Sequence, residues 1–214
     1  MTGRGVRTFG WLVMTALALL VAAYAAMVLF QPGFAPPFLA ERRSMMPLAV
    51  IAHLSGGLVA MTVGPWQLNR RMREWSYPTH RWTGRVYVIA VTVGSLGALA
   101  MAPFSQFGPV SHVGFACLGV LWLATTLLAW REIRAGRRDV HREWMLRSYA
   151  LTLAAVTLRI YLPLSIGFGL PFPAAYRAIS WLCWVPNLLV AELVVRRGRR
   201  RPSMDSGVSR AAAA

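Results

Sequence analysis

Residues 10–30 read Gly-Trp-Leu-Val-Met-Thr-Ala-Leu-Ala-Leu-Leu-Val-Ala-Ala-Tyr-Ala-Ala-Met-Val-Leu-Phe, without a single charged side chain. About 20 predominantly apolar residues suffice for a helix to cross the hydrocarbon core of a bilayer. Five further blocks have the same character, at roughly 47–68, 86–106, 113–130, 149–170 and 176–195. Backbone polar groups cannot stay open in lipid, and the blocks lack the ten-residue alternation of a membrane barrel, so each is predicted to be a helix.

The composition supports this assignment. Hydrophobic residues make up 57% of the 214 residues and charged residues only 14%, which soluble domains of this size rarely show. We therefore predict an all-α integral membrane bundle of six helices over residues 10–195. Residues 1–9 precede it, and residues 196–214 form a basic tail that we expect to be disordered.

The start of the chain also has features of a signal peptide. Arg4 and Arg7 precede the first apolar block, and Ala23-Tyr24-Ala25 is the kind of small-residue stretch at which such peptides are cleaved. The apolar run continues to Phe30, however, which favours an anchor helix that is retained, with cleavage as the alternative.

The arginines indicate the orientation. The 23 basic residues are all arginine; five lie in 69–85, six in 131–147, six in the tail and two at the N-terminus, whereas the alternate loops hold only Arg42, Arg43 and Arg177. Basic residues collect on the cytoplasmic side, so both termini are predicted to be cytoplasmic in a bacterial inner membrane. We attribute the net charge of +16 to this topology and to contact with anionic lipid headgroups, since the arginines form no nucleic-acid-binding motif.

All four histidines lie near ends of the predicted spans, His53 and His112 toward the outer side and His80 and His141 toward the cytoplasmic side. Neutral imidazole is an axial ligand of haem iron, and helix bundles build such sites from facing helices. The pattern therefore predicts haem b, with His53 and His112 as axial ligands of one iron and His80 and His141 of another, and hence electron transfer across the membrane. Arginines surround His80 and His141, so a single haem on the outer pair is an alternative, as is a protein whose histidines are merely interfacial.

Helical spacing places small residues on the faces that these histidines head. The face of His80 includes Gly84, Tyr87 and Gly94, and the face of His141 includes Ser148, Thr152 and Arg159. Small residues allow helices to approach closely, and they would equally leave room for a flat macrocycle.

Arg159 is a charge inside a predicted span, which is costly and indicates function. It lies 18 residues beyond His141, about 27 Å along a helix, and so toward the outer histidines. It could neutralise a haem propionate or bind an anionic substrate. The structural alternative is that it pairs with a backbone carbonyl or with Asn187.

Several motifs carry a resemblance to a known family. They are His53-Leu54-Ser55-Gly56-Gly57, Gly64-Pro65-Trp66-Gln67, His80-Arg81-Trp82-Thr83-Gly84-Arg85-Val86-Tyr87, His141-Arg142-Glu143-Trp144-Met145-Leu146-Arg147-Ser148, Arg159 and Trp184-Val185-Pro186-Asn187. Over roughly residues 45–195 the chain resembles the bacterial membrane family catalogued as domain of unknown function 2306. The resemblance implies a multi-pass membrane protein and leaves the chemistry open.

The layout is also similar to that of two-haem b-type cytochromes that oxidise ascorbate or quinol, in which histidines on alternate helices pair. This analogy implies a transmembrane oxidoreductase that takes electrons from quinol, a small reductant or a redox partner. Two other classes compete with it. A hydrolase with a metal on three histidines would need them on one side of the membrane. An internal repeat or a pair of broken helices would indicate a transporter, whereas a structural membrane protein would need neither feature.

Overall fold

A computed structural model of the chain describes residues 3–199, and its architecture is all-α, as predicted. Six helical segments are long and apolar enough to cross a membrane. They are span one, Thr8–Phe30; span two, Pro47–Leu68; span three, Tyr77–Phe104; span four, Pro109–Arg134; span five, Arg138–Gly167; and span six, Phe172–Arg199.

The helices that build these spans are α1 Gly3–Phe30, α2 Pro37–Met45, α3 Pro47–Leu68, α4 Arg70–Trp75, α5 Tyr77–Met101, α6 Pro109–Arg134, α7 Arg138–Thr152, α8 Ala154–Gly167, α9 Phe172–Leu182 and α10 Val185–Arg199. Short 3-10 turns follow span one at Pro32–Phe34 and end span three at Ala102–Phe104. The helix α2 lies between spans one and two, and α4 between spans two and three.

The helices extend beyond the apolar blocks in the sequence. Span three begins at Tyr77 rather than near 86, and span five at Arg138 rather than near 149, so His80 and His141 lie inside the first turns of their helices. The Ser76 side chain, which accepts a hydrogen bond from the Thr79 amide, caps the earlier start of span three. Residues 196–199, expected in the tail, continue the last helix. Residues 200–214, where the tail was expected to be disordered, lie outside the described residues.

The loops divide the bundle into two ends. We call the end with the connections 69–76 and 135–137 the arginine-rich end, and the other the opposite end. Arg147 of span five binds Glu192 of span six at 2.7 Å at the arginine-rich end. At the opposite end, the Arg43 guanidinium donates to the carbonyl oxygens of Val28 and Leu29, which end span one.

Glycines bring spans two and three together. A Cβ atom on Gly56 would lie 2.4 Å from the Ala90 carbonyl oxygen, and one on Gly97 would lie 2.5 Å from that of Ala49. Real Cβ contacts are never so short, so only glycine permits this approach of the two backbones. In lipid, close contact of this kind replaces the hydrophobic effect as the force that joins helices.

Two spans are interrupted near their middles. Span five breaks between Thr152 and Ala154, and span six between Leu182 and Val185. Pro186 follows the second break and has no N–H to donate to the preceding turn. The Asn187 side-chain amide donates to the carbonyl oxygens of Ala150 in span five and of Cys183 in span six, and so serves both breaks.

Candidate functional site

The imidazole of His53 is anchored to the neighbouring span. His53 lies six residues into span two, and its Nδ1 is 3.1 Å from the carbonyl oxygen of Gly94 in span three. A carbonyl oxygen can only accept, so Nδ1 carries the proton and Nε2 keeps its lone pair. This is the arrangement of most metal-binding histidines, whose other ring nitrogen donates to a carbonyl or carboxylate.

Arg159 lies toward the same end of the bundle as His53, which is the position that helical rise predicted. The guanidinium is close enough to the His53 ring for the two groups to interact electrostatically. It donates one hydrogen bond of 3.0 Å to the carbonyl oxygen of Ala155, one turn earlier in its own helix. Its carbon also lies 4.9 Å from the ring centroid of Tyr24 in span one, a cation–π contact. We call Tyr24 of span one, His53 of span two and Arg159 of span five the arginine cluster.

Asn187 is not the partner of Arg159. Its amide nitrogen donates to Thr157 Oγ1 at 2.9 Å, and it reaches two backbone carbonyls as described above. Of the two structural partners expected from the sequence, Arg159 therefore has the backbone carbonyl. Across residues 3–199, no carboxylate oxygen lies within ion-pair distance of the Arg159 guanidinium.

His112 lies at the same end of the bundle as His53. It occupies the first turn of span four, and its Nε2 is 2.8 Å from the carbonyl oxygen of Ser105. This bond leaves Nδ1 as its free nitrogen. The two rings share no hydrogen bond or ring contact in the described part of the chain. The structure thus places the first predicted pair at one end, each ring bonded to a different backbone carbonyl.

The second predicted pair lies at the arginine-rich end. His141 Nδ1 is 2.8 Å from the carbonyl oxygen of Ala129 in span four, so this nitrogen carries the proton. His80 stacks on Tyr77, with ring centroids 6.5 Å apart. Both rings are half-buried.

The faces headed by His80 and His141 meet through a buried network of polar side chains. The Tyr87 hydroxyl lies 2.9 Å from both Ser148 Oγ and Thr152 Oγ1. Trp122 of span four donates its indole N–H to Thr152 Oγ1 at 2.8 Å, and Thr126 bonds Ser148 Oγ at 2.6 Å. This polar core joins spans three, four and five. Hydroxyl residues at helical spacing inside apolar spans were the sequence signal that could have revealed it.

The described residues contain no cluster of three or more histidine, cysteine, aspartate or glutamate side chains able to hold a metal ion. The four histidines are instead divided between two ends of the bundle.

The comparisons with known proteins agree with the membrane architecture. Residues 50–195 match the model of a family described as "Predicted membrane protein (DUF2306)". No curated protein and no solved structure matches the chain. The matched region takes in five of the six spans, the four histidines, Arg159 and Asn187. With six candidate spans and a match over most of its length, this chain is a multi-pass membrane protein that belongs to the DUF2306 family.

Proposed function

We propose that the protein is a membrane electron carrier that binds haem b through its histidines. The observation that carries this proposal is the His53 ring, which is anchored through Nδ1 to a backbone carbonyl within an apolar bundle and has Nε2 free. Metal-binding imidazoles are commonly held in this way, because the second hydrogen bond fixes the tautomer and the ring orientation. When bound, haem supplies a reversible one-electron change at its iron.

The first site would lie at the opposite end of the bundle, where His53 and His112 would hold the haem iron. His112 would bind through Nδ1, or through Nε2 after release from the Ser105 carbonyl. Arg159 would face a haem propionate, since it lies beside His53 and has no carboxylate partner among residues 3–199.

A second site would lie at the arginine-rich end, with His80 and His141. His141 supports it, because its Nδ1 is bonded to the Ala129 carbonyl in the same manner as that of His53. The polar core limits the space available: Tyr87 joins spans three and five about 10 Å along the helix from His80. A haem at this end would have to fit between that hydrogen bond and the membrane surface, so we rank this site second.

Electrons would come from quinol, a small reductant or a redox partner protein.

We further propose that both termini are cytoplasmic and that the arginine-rich end contacts anionic headgroups of a bacterial inner membrane. Cysteine labelling tests the orientation. Ala135→Cys, at an exposed position of the arginine-rich end, should resist a membrane-impermeant maleimide in intact cells, whereas Ala40→Cys, exposed at the opposite end, should react. The reverse pattern would contradict this topology.

The absorption spectrum of the detergent-purified protein, oxidised and then reduced with dithionite, tests the electron-carrier proposal. Haem is quantified per chain for the wild type and for each single histidine-to-alanine variant. We expect His53→Ala to lose the haem bands of the first site, with His112→Ala weakening or shifting them. Loss of further haem in His80→Ala and His141→Ala would establish the second site. A protein without haem after expression with ample haem supply would overturn the proposal.

The paired interruptions of spans five and six favour a second candidate function, that of a transporter. Transporters often place substrates where two discontinuous helices meet. Here Asn187 and Thr157 lie at such a junction, with Asn187 bonded to carbonyls on both sides. Thr157→Cys would test it: labelling that switches from one side of the membrane to the other with conditions would support transport, whereas labelling from neither side would argue against it.

A further inference from the structure

The arginine cluster holds a positively charged guanidinium within a candidate membrane span, away from both of its ends. Tyr24 and His53 each lie six residues from the end of their spans, which is about 9 Å along a helix axis. Arg159 lies eight residues before the end of span five, about 12 Å along its axis. The three residues therefore lie at similar heights from the span ends at the opposite end of the bundle.

Residues 3–199 satisfy little of the hydrogen-bonding capacity of the Arg159 guanidinium. Arginine has five N–H donors in a fixed fork, and for Arg159 one of them is bonded, to the Ala155 carbonyl. The Tyr24 ring covers one face of the group. Other partly buried arginines are treated differently: Arg147 binds Glu192, and Arg43 makes three hydrogen bonds to two carbonyls. A charge in hydrocarbon without such partners is costly.

The groups around Arg159 do not supply the missing negative charge. Tyr24 offers an aromatic face, and His53 has its Nδ1 proton committed to the Gly94 carbonyl. No aspartate or glutamate from any of the described segments pairs with Arg159. The free edge of the guanidinium therefore suits an anion from outside the chain, and its fork geometry suits the two oxygens of a carboxylate or phosphate.

We propose that Arg159, through the guanidinium edge that stays free beside Tyr24, binds the anionic oxygen group, a carboxylate or a phosphate, of a bilayer-soluble molecule. Two sources have this chemistry. One is a haem propionate, and that source rests on the proposed electron-carrier function. The other is an amphiphile with an acidic headgroup, which binds whether or not the protein carries haem.

The test for the amphiphile uses haem-free, full-length protein in a neutral detergent, with dodecanoate as the probe and the uncharged dodecanol as its comparison. Binding is measured by equilibrium dialysis of the labelled probes. Arg159→Gln is expected to weaken dodecanoate binding by at least about tenfold, since hydrogen bonds to charged groups contribute that much, and to leave dodecanol binding unchanged. Arg177→Gln is the matched control, because it removes an exposed arginine near the same end.

The test for the propionate compares haem with haem dimethyl ester, whose propionates are uncharged, by spectroscopic titration of the same proteins. The wild type should bind haem more tightly than the ester, and Arg159→Gln should abolish that preference. A protein that binds neither form of haem, yet loses dodecanoate with Arg159→Gln, would overturn the electron-carrier function and leave the anion site standing.

Arg159→Lys keeps the result interpretable if Arg159→Gln does not fold. Lysine retains the charge and loses the two-pronged fork, so we expect dodecanoate binding intermediate between wild type and none. The proposal is overturned if a folded Arg159→Gln protein binds dodecanoate, haem and the ester as the wild type does. It is equally overturned if Arg159→Lys and Arg177→Gln change binding by the same factor.

Discussion

The Asn187 side chain of span six donates a hydrogen bond of 3.3 Å to the backbone carbonyl of Ala150 in span five. The same amide bonds the Cys183 carbonyl in its own span, at 3.1 Å. These carbonyls lie at the two helix interruptions. There the backbone N–H one turn later, which is the usual donor to such a carbonyl, is displaced. One polar side chain therefore holds together two breaks that would each be costly in lipid.

Asn187→Leu should destabilise the bundle by about 1–3 kcal/mol, because the leucine has a similar size and leaves buried carbonyls without a donor. Reversible unfolding in mixed micelles measures the change. Thr62→Ala serves as the control, since the exposed Thr62 hydroxyl bonds only the Leu58 carbonyl of its own helix. Equal stability of Asn187→Leu and wild type would show that the breaks do not depend on this amide.

Gly56→Ala should destabilise the protein by about 1–3 kcal/mol, because the added methyl group would collide with the backbone of span three at Ala90 and Gly94. The adjacent glycine is a built-in control: a Cβ on Gly57 meets nothing within 4 Å. Gly57→Ala should be neutral or stabilising by up to about 1 kcal/mol, since alanine favours the helix. Similar thermal midpoints for the two alanine variants would contradict the packing of spans two and three.

The two substitutions Tyr87→Phe and Tyr149→Phe should change the free energy of unfolding differently. The Tyr87 hydroxyl bonds Ser148 and Thr152, so its removal should cost about 1 kcal/mol. The Tyr149 hydroxyl is buried and has no hydrogen-bond partner within residues 3–199, so its removal should be neutral or stabilising. Chemical denaturation of both variants in the same detergent compares them. A greater loss in Tyr149→Phe would mean that its hydroxyl has a partner, such as a buried water.

Arg147→Gln should lower stability by about 1 kcal/mol, because Arg147 joins Glu192 of span six to span five in a partly exposed ion pair. The loss should shrink at high ionic strength, where the wild-type ion pair is screened. Arg142→Gln, which removes an exposed arginine of the same helix, should change little. An unfolding free energy that does not depend on salt in any of these proteins would argue against the ion pair.

The number and class of the helices followed from the sequence because a bilayer imposes a simple requirement. Apolar blocks of about 20 residues must be helical when water is absent, so six blocks predict six spans. The helix ends were less predictable, since helices such as that of His141 continue into the headgroup region, where polar residues are tolerated. The position of Arg159 near His53 was also predictable, from helical rise alone.

Contacts between spans could not be derived in this way. Small residues lie on the helical face that each histidine heads, and spacing alone does not tell which glycines meet a backbone: Gly56 does and Gly57 does not. Likewise, helical spacing allowed Asn187 to pair with Arg159. In the structure Asn187 instead bonds Thr157 and a backbone carbonyl at a helix break. The spans and the faces on which the histidines lie could be read from the amino-acid order, because they depend on length, polarity and helical period. The partner of each buried polar group could not, because it depends on which helices touch and at what height.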